Sequence, residues 1–78
     1  MPDYYVNKNA QSSGEHEVHE KGACPYPPAF ENRLDLGWHP SCRSAVNMAR
    51  SIYSNVDGCY WCSNACHTRK GLEQRLQC

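Results

Sequence analysis

The residues of this sequence whose types favour metal binding or disulfide formation are six cysteines and four histidines in a chain of 78 residues. Cys59, Cys62 and Cys66 lie close together, in the spacing C-x2-C-x3-C. A C-x2-C loop lets two thiolates approach one zinc ion at about 2.3 Å, and on a helix the third cysteine would share their face. The spacing therefore predicts that these three cysteines bind one metal ion, and zinc is the expected ion.

A closed tetrahedral zinc site needs a fourth ligand. The expected fourth ligand is Cys24, which lies in a loop that prolines bias toward an extended and rigid form. His67 is a substitute, although it directly follows Cys66 and neighbouring side chains rarely point at the same ion. His16 and His19 are further substitutes, and a strand through them would place the two rings on opposite faces.

Disulfide formation is the alternative use of the same cysteines. Six is an even number, so two or three disulfides could staple an exported binding or inhibitor domain without metal, with a connectivity that spacing does not define. A weaker alternative is a thiol-redox or metal-handling protein in which Cys59 and Cys62 act as a dithiol pair. The sequence contains no Ser-His-Asp order, phosphate-binding glycine loop or paired-carboxylate pattern, so no enzyme is predicted.

Cellular location bears on the choice between metal and disulfides. The first residues, Met1–Tyr5, lack the basic and apolar regions of a secretory signal, and no apolar run approaches the length of a membrane span. Because paired cysteines in reducing compartments are more often metal ligands, a cytoplasmic zinc protein is favoured over an exported one whose signal has been removed. The formal net charge is zero, so the expected partner is a protein rather than a nucleic acid or a membrane.

The elements that must position these side chains form one small α+β domain, which we expect over residues 1–68. A domain of this length with few large apolar residues has a thin core and usually needs a metal or disulfides to stabilise it. β-forming and alternating residues predict three strands, which we expect to pair as a small antiparallel sheet. These strands lie at residues 4–6, 15–20 and 33–38. Residues 69–78 are polar and are predicted to form a loose tail.

One helix, over about 42–55, is predicted to pack across the sheet and to precede a cysteine-rich C-terminal segment. Ser41 is a suitable N-cap, apolar residues recur at helical spacing, and Gly58 is expected to end the helix. A helix of about 14 residues separates its ends by roughly 21 Å. Cys42, at the start of the helix, is therefore not expected to reach Cys59 beyond its end.

Four segments of the sequence form a combination that extends over most of residues 4–68. These segments are Tyr4–Asn7, Gly14–His19, Leu36–Gly37 and Gly58–Thr68, the last of which contains the cysteine pattern. Through this combination the chain resembles short uncharacterised bacterial proteins. The resemblance implies a bacterial origin, and it implies no particular activity or ligand set.

Overall fold

The computed structural model of the protein describes residues 2–25 and 27–68. Over these residues the fold is α+β, with a four-stranded sheet and one α-helix. The elements are β1 (Asp3–Asn7), β2 (His16–Glu20), β3 (Arg33–Trp38), α1 (Cys42–Arg50) and β4 (Val56–Gly58), with short 3-10 turns at Phe30–Asn32 and Asn64–Cys66. The predicted tail, 69–78, lies outside the described residues.

The sheet has the order β3-β1-β2-β4. The three predicted strands are confirmed, and β1 pairs antiparallel with both β2 and β3. The prediction of three antiparallel strands is incomplete, because β4 adds a fourth strand that runs parallel to β2. In this pairing Val56 lies opposite His16 and Gly58 lies opposite Val18. The sheet is therefore mixed.

The helix ends earlier than predicted, and this difference makes β4 possible. The predicted N-cap is present, since the Ser41 side chain accepts a hydrogen bond from the backbone N–H of Arg43. At the other end the Ser51 hydroxyl donates to the carbonyl oxygen of Met48 at 2.6 Å, and the helix stops there. The chain then turns back to the sheet, where the N–H of His16 donates to the carbonyl oxygen of Asn55 at 2.9 Å. Gly58 consequently belongs to a strand and not to a helix cap.

An apolar core lies between α1 and one face of the sheet. Strand residues contribute to it at every second position and helix residues at intervals of three and four, as the two periodicities require. Its buried members are Tyr4, Val6, Val18, Leu36, Cys42, Ala45, Val46, Ala49 and Val56. No helix among the described residues is long and apolar enough to cross a membrane.

The opposite face of the sheet is also buried, but its side chains are largely polar. Tyr5, Glu17, His19 and Asp57 alternate with the core residues of their strands, and each is no more than 3% exposed. An antiparallel sheet commonly leaves one face to solvent. Here the loop after β2 and the turn after β4 lie over this face, and their cysteines contact each other above it.

Candidate metal centre

Four side chains of types that commonly bind metal ions converge on the polar face of the sheet. His19 comes from β2, Cys24 from the loop after β2, and Cys59 and Cys62 from the turn after β4. Their ligand atoms all lie within 4.8 Å of one another. Two regions that are distant in sequence, residues 19–24 and 59–62, therefore meet at one point.

Two of the distances between donor atoms in this group match the edges of a tetrahedral zinc site. The Sγ atoms of Cys24 and Cys59 are 3.8 Å apart, and the Sγ of Cys62 is 3.6 Å from the Nδ1 of His19. Bond lengths of about 2.3 Å for Zn–S and about 2.05 Å for Zn–N give tetrahedral edges of about 3.8 Å between two sulfurs and about 3.6 Å between sulfur and nitrogen. These two pairs of donor atoms thus have the spacing found in a tetrahedral zinc site.

His19 is placed by the alternation of β2 and by an aromatic neighbour. Its side chain is fully buried, and its ring lies against the ring of Tyr5 with a centroid distance of 5.1 Å. Nδ1 is directed at the sulfur of Cys62, while Nε2 has no hydrogen-bond partner among the described residues. Buried ring nitrogens are normally paired. Among residues 2–25 and 27–68, Nδ1 is hydrogen-bonded within the candidate ligand group, so no group outside it competes for this nitrogen.

Backbone N–H groups hold the two sulfurs of the C-x2-C turn. The N–H of Cys59 continues the sheet by donating to the carbonyl oxygen of Val18 at 2.9 Å. The N–H of Trp61 donates to the Sγ of Cys59 at 3.3 Å, and the N–H of Glu20 donates to the Sγ of Cys62 at 3.4 Å. Hydrogen bonds to the charged form of a group favour that form. The turn is thus suited to carrying thiolates.

The two cysteines of the turn differ in protonation. A hydrogen bond from the Cys62 thiol, helped by His19, lowers the pKa of Cys59 to about 4 against the opposing effect of burial. The pKa of Cys62 is raised, first because its proton is held by Cys59 and then because it is buried. Thiolate is the form that binds metal. Cys59 is therefore ready to bind, whereas Cys62 must first lose its proton.

Cys24 differs from the other two sulfurs of the group in its oxidation state. Cys59 and Cys62 are free thiols, whereas Cys24 is disulfide-bonded in this structure. A disulfide sulfur cannot act as a thiolate ligand, because metal binding needs the deprotonated thiol. His19, Cys59 and Cys62 are therefore three immediate ligands, and Cys24 supplies the fourth once its disulfide is reduced.

Cys66 lies apart from this group, contrary to the ligand set expected from the sequence. It forms a disulfide with Cys42, with a Cα–Cα distance of 6.2 Å. The expectation that Cys42 is remote from the cysteine-rich segment was wrong, because it assumed a helix of about 14 residues. The observed helix has 9 residues, and the chain returns through β4 and the 3-10 turn to the start of the helix.

The other histidines that were considered as substitutes have different partners. His16 donates from Nδ1 to the carbonyl oxygen of Asn7 at 3.0 Å, and its ring stacks on Tyr53 at 3.8 Å. His67 donates from Nδ1 to the carbonyl oxygen of Gly58 at 3.0 Å and lies 3.3 Å from a carboxylate oxygen of Asp57. Neither histidine belongs to the ligand group.

Comparison with protein-family models, with curated proteins and with solved structures finds no match to this chain. The resemblance to short bacterial proteins therefore stays a prediction.

Proposed function

We propose that the protein is a small zinc-stabilised module that binds another protein, and that His19, Cys24, Cys59 and Cys62 hold one structural zinc ion. The observation that carries the proposal is the pair of donor distances, 3.8 Å between sulfurs and 3.6 Å between sulfur and nitrogen. Both equal the edges of a tetrahedral zinc site with three sulfur ligands and one nitrogen ligand to within about 0.1 Å. Thiolate and imidazole donors also suit zinc better than the hard cations.

The ligand number and the burial argue for a structural rather than a catalytic ion. Structural zinc sites have four protein ligands, whereas catalytic sites keep a position open for water or substrate. With Cys24 reduced, four protein ligands are present, and His19 and Cys59 have no exposed surface. The ion would join β2, the following loop and the turn after β4, so its binding energy would become folding energy. No catalytic role is proposed.

Two aromatic residues support the protein-binding part of the proposal. Tyr60 and Trp61 lie between the ligands Cys59 and Cys62, and they are 41% and 43% exposed. Their rings contact each other edge to face with a centroid distance of 5.0 Å. Tyrosine and tryptophan are enriched at the centres of protein interfaces. A zinc ion would hold the turn that presents this pair.

Zinc binding is tested by native mass spectrometry and by competition with a chromophoric chelator, on the full chain reduced under argon. We expect one zinc ion per chain, lost when the protein is denatured. His19→Gln is expected to weaken zinc binding at least about a hundredfold, because loss of a direct ligand should exceed the effect of changing its hydrogen-bonded neighbours.

His16→Gln is the matched control, because it makes the same change on the same strand at a ring hydrogen-bonded to Asn7. We expect the zinc affinity of this variant to stay within about twofold of the unchanged chain, since the ring lies outside the ligand group. Equal zinc affinity in both variants would exclude the proposed ligand set. Absence of stoichiometric zinc from the reduced, folded chain would exclude the metal module itself.

An exported domain stabilised by disulfides is the second candidate. The Cys42–Cys66 disulfide, together with the disulfide-bonded state of Cys24, favours it. Such a domain would unfold with reductant and be indifferent to chelator, whereas the zinc module in its reduced form would lose stability with chelator. Thermal unfolding measured in the four combinations of reductant and chelator separates the two candidates.

A further inference from the structure

A basic cleft lies between α1 and the 3-10 turn Asn64–Cys66, away from the metal ligands. Its volume is about 200 Å³. Arg43, Asn47 and Arg50 of the helix form one side, and Ala65, Cys66 and Thr68 form the other.

The charges that line the cleft are all positive. Arg43 and Arg50 are seven residues apart, so they lie on the same side of the helix, about 10 Å apart along its axis. No carboxylate lies within ion-pair distance of either guanidinium among residues 2–25 and 27–68, and Arg50 donates only to the side-chain oxygen of Asn47, at 3.5 Å.

The walls of the cleft are held in place by covalent and buried polar contacts. The Cys42–Cys66 disulfide joins the first turn of the helix to the 3-10 turn. Thr68 donates from both its backbone N–H and its hydroxyl to one carboxylate oxygen of the buried Asp57, at 2.9 Å each. A ligand would therefore meet a surface that needs little ordering before it binds.

We infer that this cleft binds an acidic, extended peptide segment of a partner protein, with Arg43 and Arg50 pairing with two of its carboxylates. An extended segment in the polyproline II conformation has three residues per turn and advances about 3.1 Å per residue, so carboxylates three residues apart lie on one side of it, about 9 Å apart, close to the spacing of the two arginines. Arginine pairs well with carboxylates, and the Asn47 amide offers both a donor and an acceptor to a peptide group. Val46 and Ala65 also line the cleft and make part of its floor apolar.

This inference names a class of partner for the proposed protein-binding function. It rests on the protein-binding part of that proposal and does not depend on zinc binding. It is tested by titrating the full ¹⁵N-labelled chain, without reductant, with the capped peptide Glu-Ser-Gly-Glu-Ser-Gly-Glu and with its glutamine counterpart. The metal content of the same sample is measured, so that failure to bind zinc can be distinguished from failure to bind the peptide. We expect the glutamate peptide, and not the glutamine peptide, to shift the amide signals of Arg43, Asn47, Arg50 and Thr68.

The decisive variant is Arg43→Gln combined with Arg50→Gln. Both side chains are exposed, so the fold should be kept, and a spectrum with otherwise unchanged amide signals verifies it. We expect the affinity for the glutamate peptide to fall about tenfold, the effect of losing two exposed ion pairs. The matched control, Lys8→Gln combined with Lys21→Gln, removes the same charge elsewhere on the surface and should change the affinity less than about twofold.

Three results would overturn the inference. The first is equal weakening by the two double variants, which would indicate attraction to net charge alone. The second is absence of shifts at the cleft in the unchanged chain. The third is stronger binding at the same amides by inorganic phosphate or by a single-stranded oligonucleotide, either of which would assign the cleft to a different ligand.

Discussion

The two groups of sulfur atoms in this protein lie on opposite faces of one sheet and have different surroundings. Cys42 and Cys66 meet at the edge of the apolar core beneath α1, where their disulfide ties the helix to the 3-10 turn. Cys59 and Cys62 lie over the polar face with His19, where backbone N–H groups point at their sulfurs. One face thus suits a disulfide as a covalent tie, and the other suits thiolates and a cation.

The comparison shows that spacing alone does not define the use of a cysteine. Cys62 and Cys66 are four residues apart, yet the turn between them directs one sulfur to each face. Gly58 permits this arrangement, because the 3-10 turn crosses directly over its Cα atom. What distinguishes the two groups is the presence of an imidazole nitrogen and of backbone donors.

Removal of the Cys42–Cys66 disulfide is expected to have the largest effect that distinguishes the two groups of cysteines. The variant Cys42→Ala combined with Cys66→Ala should lower the free energy of unfolding by about 3 kcal/mol, the loop-closure value for a disulfide with a sequence separation of 24 residues. Chemical denaturation of the chain without reductant measures this loss. The zinc affinity of the refolded, reduced variant should stay within about twofold of the unchanged chain, because distant sites act independently. A parallel loss of zinc affinity would show that the two groups form one unit.

Gly58→Ala is expected to have the next largest effect. A Cβ atom at this position would lie 2.7 Å from both the Cβ of Cys66 and the carbonyl oxygen of Ser63. Backbone must shift to relieve these contacts, so we expect a loss of about 2 kcal/mol in the free energy of unfolding. Gly22→Ala is a control at an exposed glycine whose added Cβ would meet nothing within 4 Å, although its φ of 79° adds some strain. Gly58 has no positive φ, so a loss at Gly58 no larger than the strain measured at Gly22 would show that the crossing turn shifts at little cost.

Much of the fold could be predicted from local sequence. The alternation of β-forming residues identified β1, β2 and β3, and Ser41 identified the start of the helix. β4 was missed because it has only three residues, and its partner is β2, distant in sequence. The pairing of a short parallel edge strand depends on tertiary packing, which local propensity does not contain.

The candidate site could be predicted only in part for the same reason. Strand alternation already placed His19 on the face opposite Val18, which is the signal that could have ranked it above Cys66. The early end of the helix, which brings Cys42 to Cys66, has no such signal. Its cause is the competition between continuing the helix and adding β4 to the sheet. Disulfide connectivity likewise follows from this reversal of the chain and not from cysteine spacing.

The smallest of the expected effects concerns the release of protons by Cys59 and Cys62, on the polar face, when zinc binds. The pKa of Cys59 is lowered to about 4, so between pH 6 and 8 it is a thiolate in the metal-free protein and releases no proton when zinc binds. The pKa of Cys62 is raised, so in the same range it is a thiol that must release one proton. Zinc affinity should therefore rise with pH, and this one proton contributes a factor of about ten, or about 1.4 kcal/mol, for each pH unit.

Competition with a chelator of known pH dependence, on the reduced chain from pH 6 to 8, measures this slope. In Cys62→Ser the thiol proton is absent, and the serine hydroxyl can still donate to Cys59 and keep its pKa low, so the slope should decrease by about one proton even though zinc binds more weakly. The disulfide variant, Cys42→Ala combined with Cys66→Ala, should keep the slope of the unchanged chain, because neither sulfur belongs to the ligand group. An affinity independent of pH would contradict the assignment of Cys62 as a ligand that binds as a thiolate, and a slope altered only in the disulfide variant would reverse the roles of the two faces.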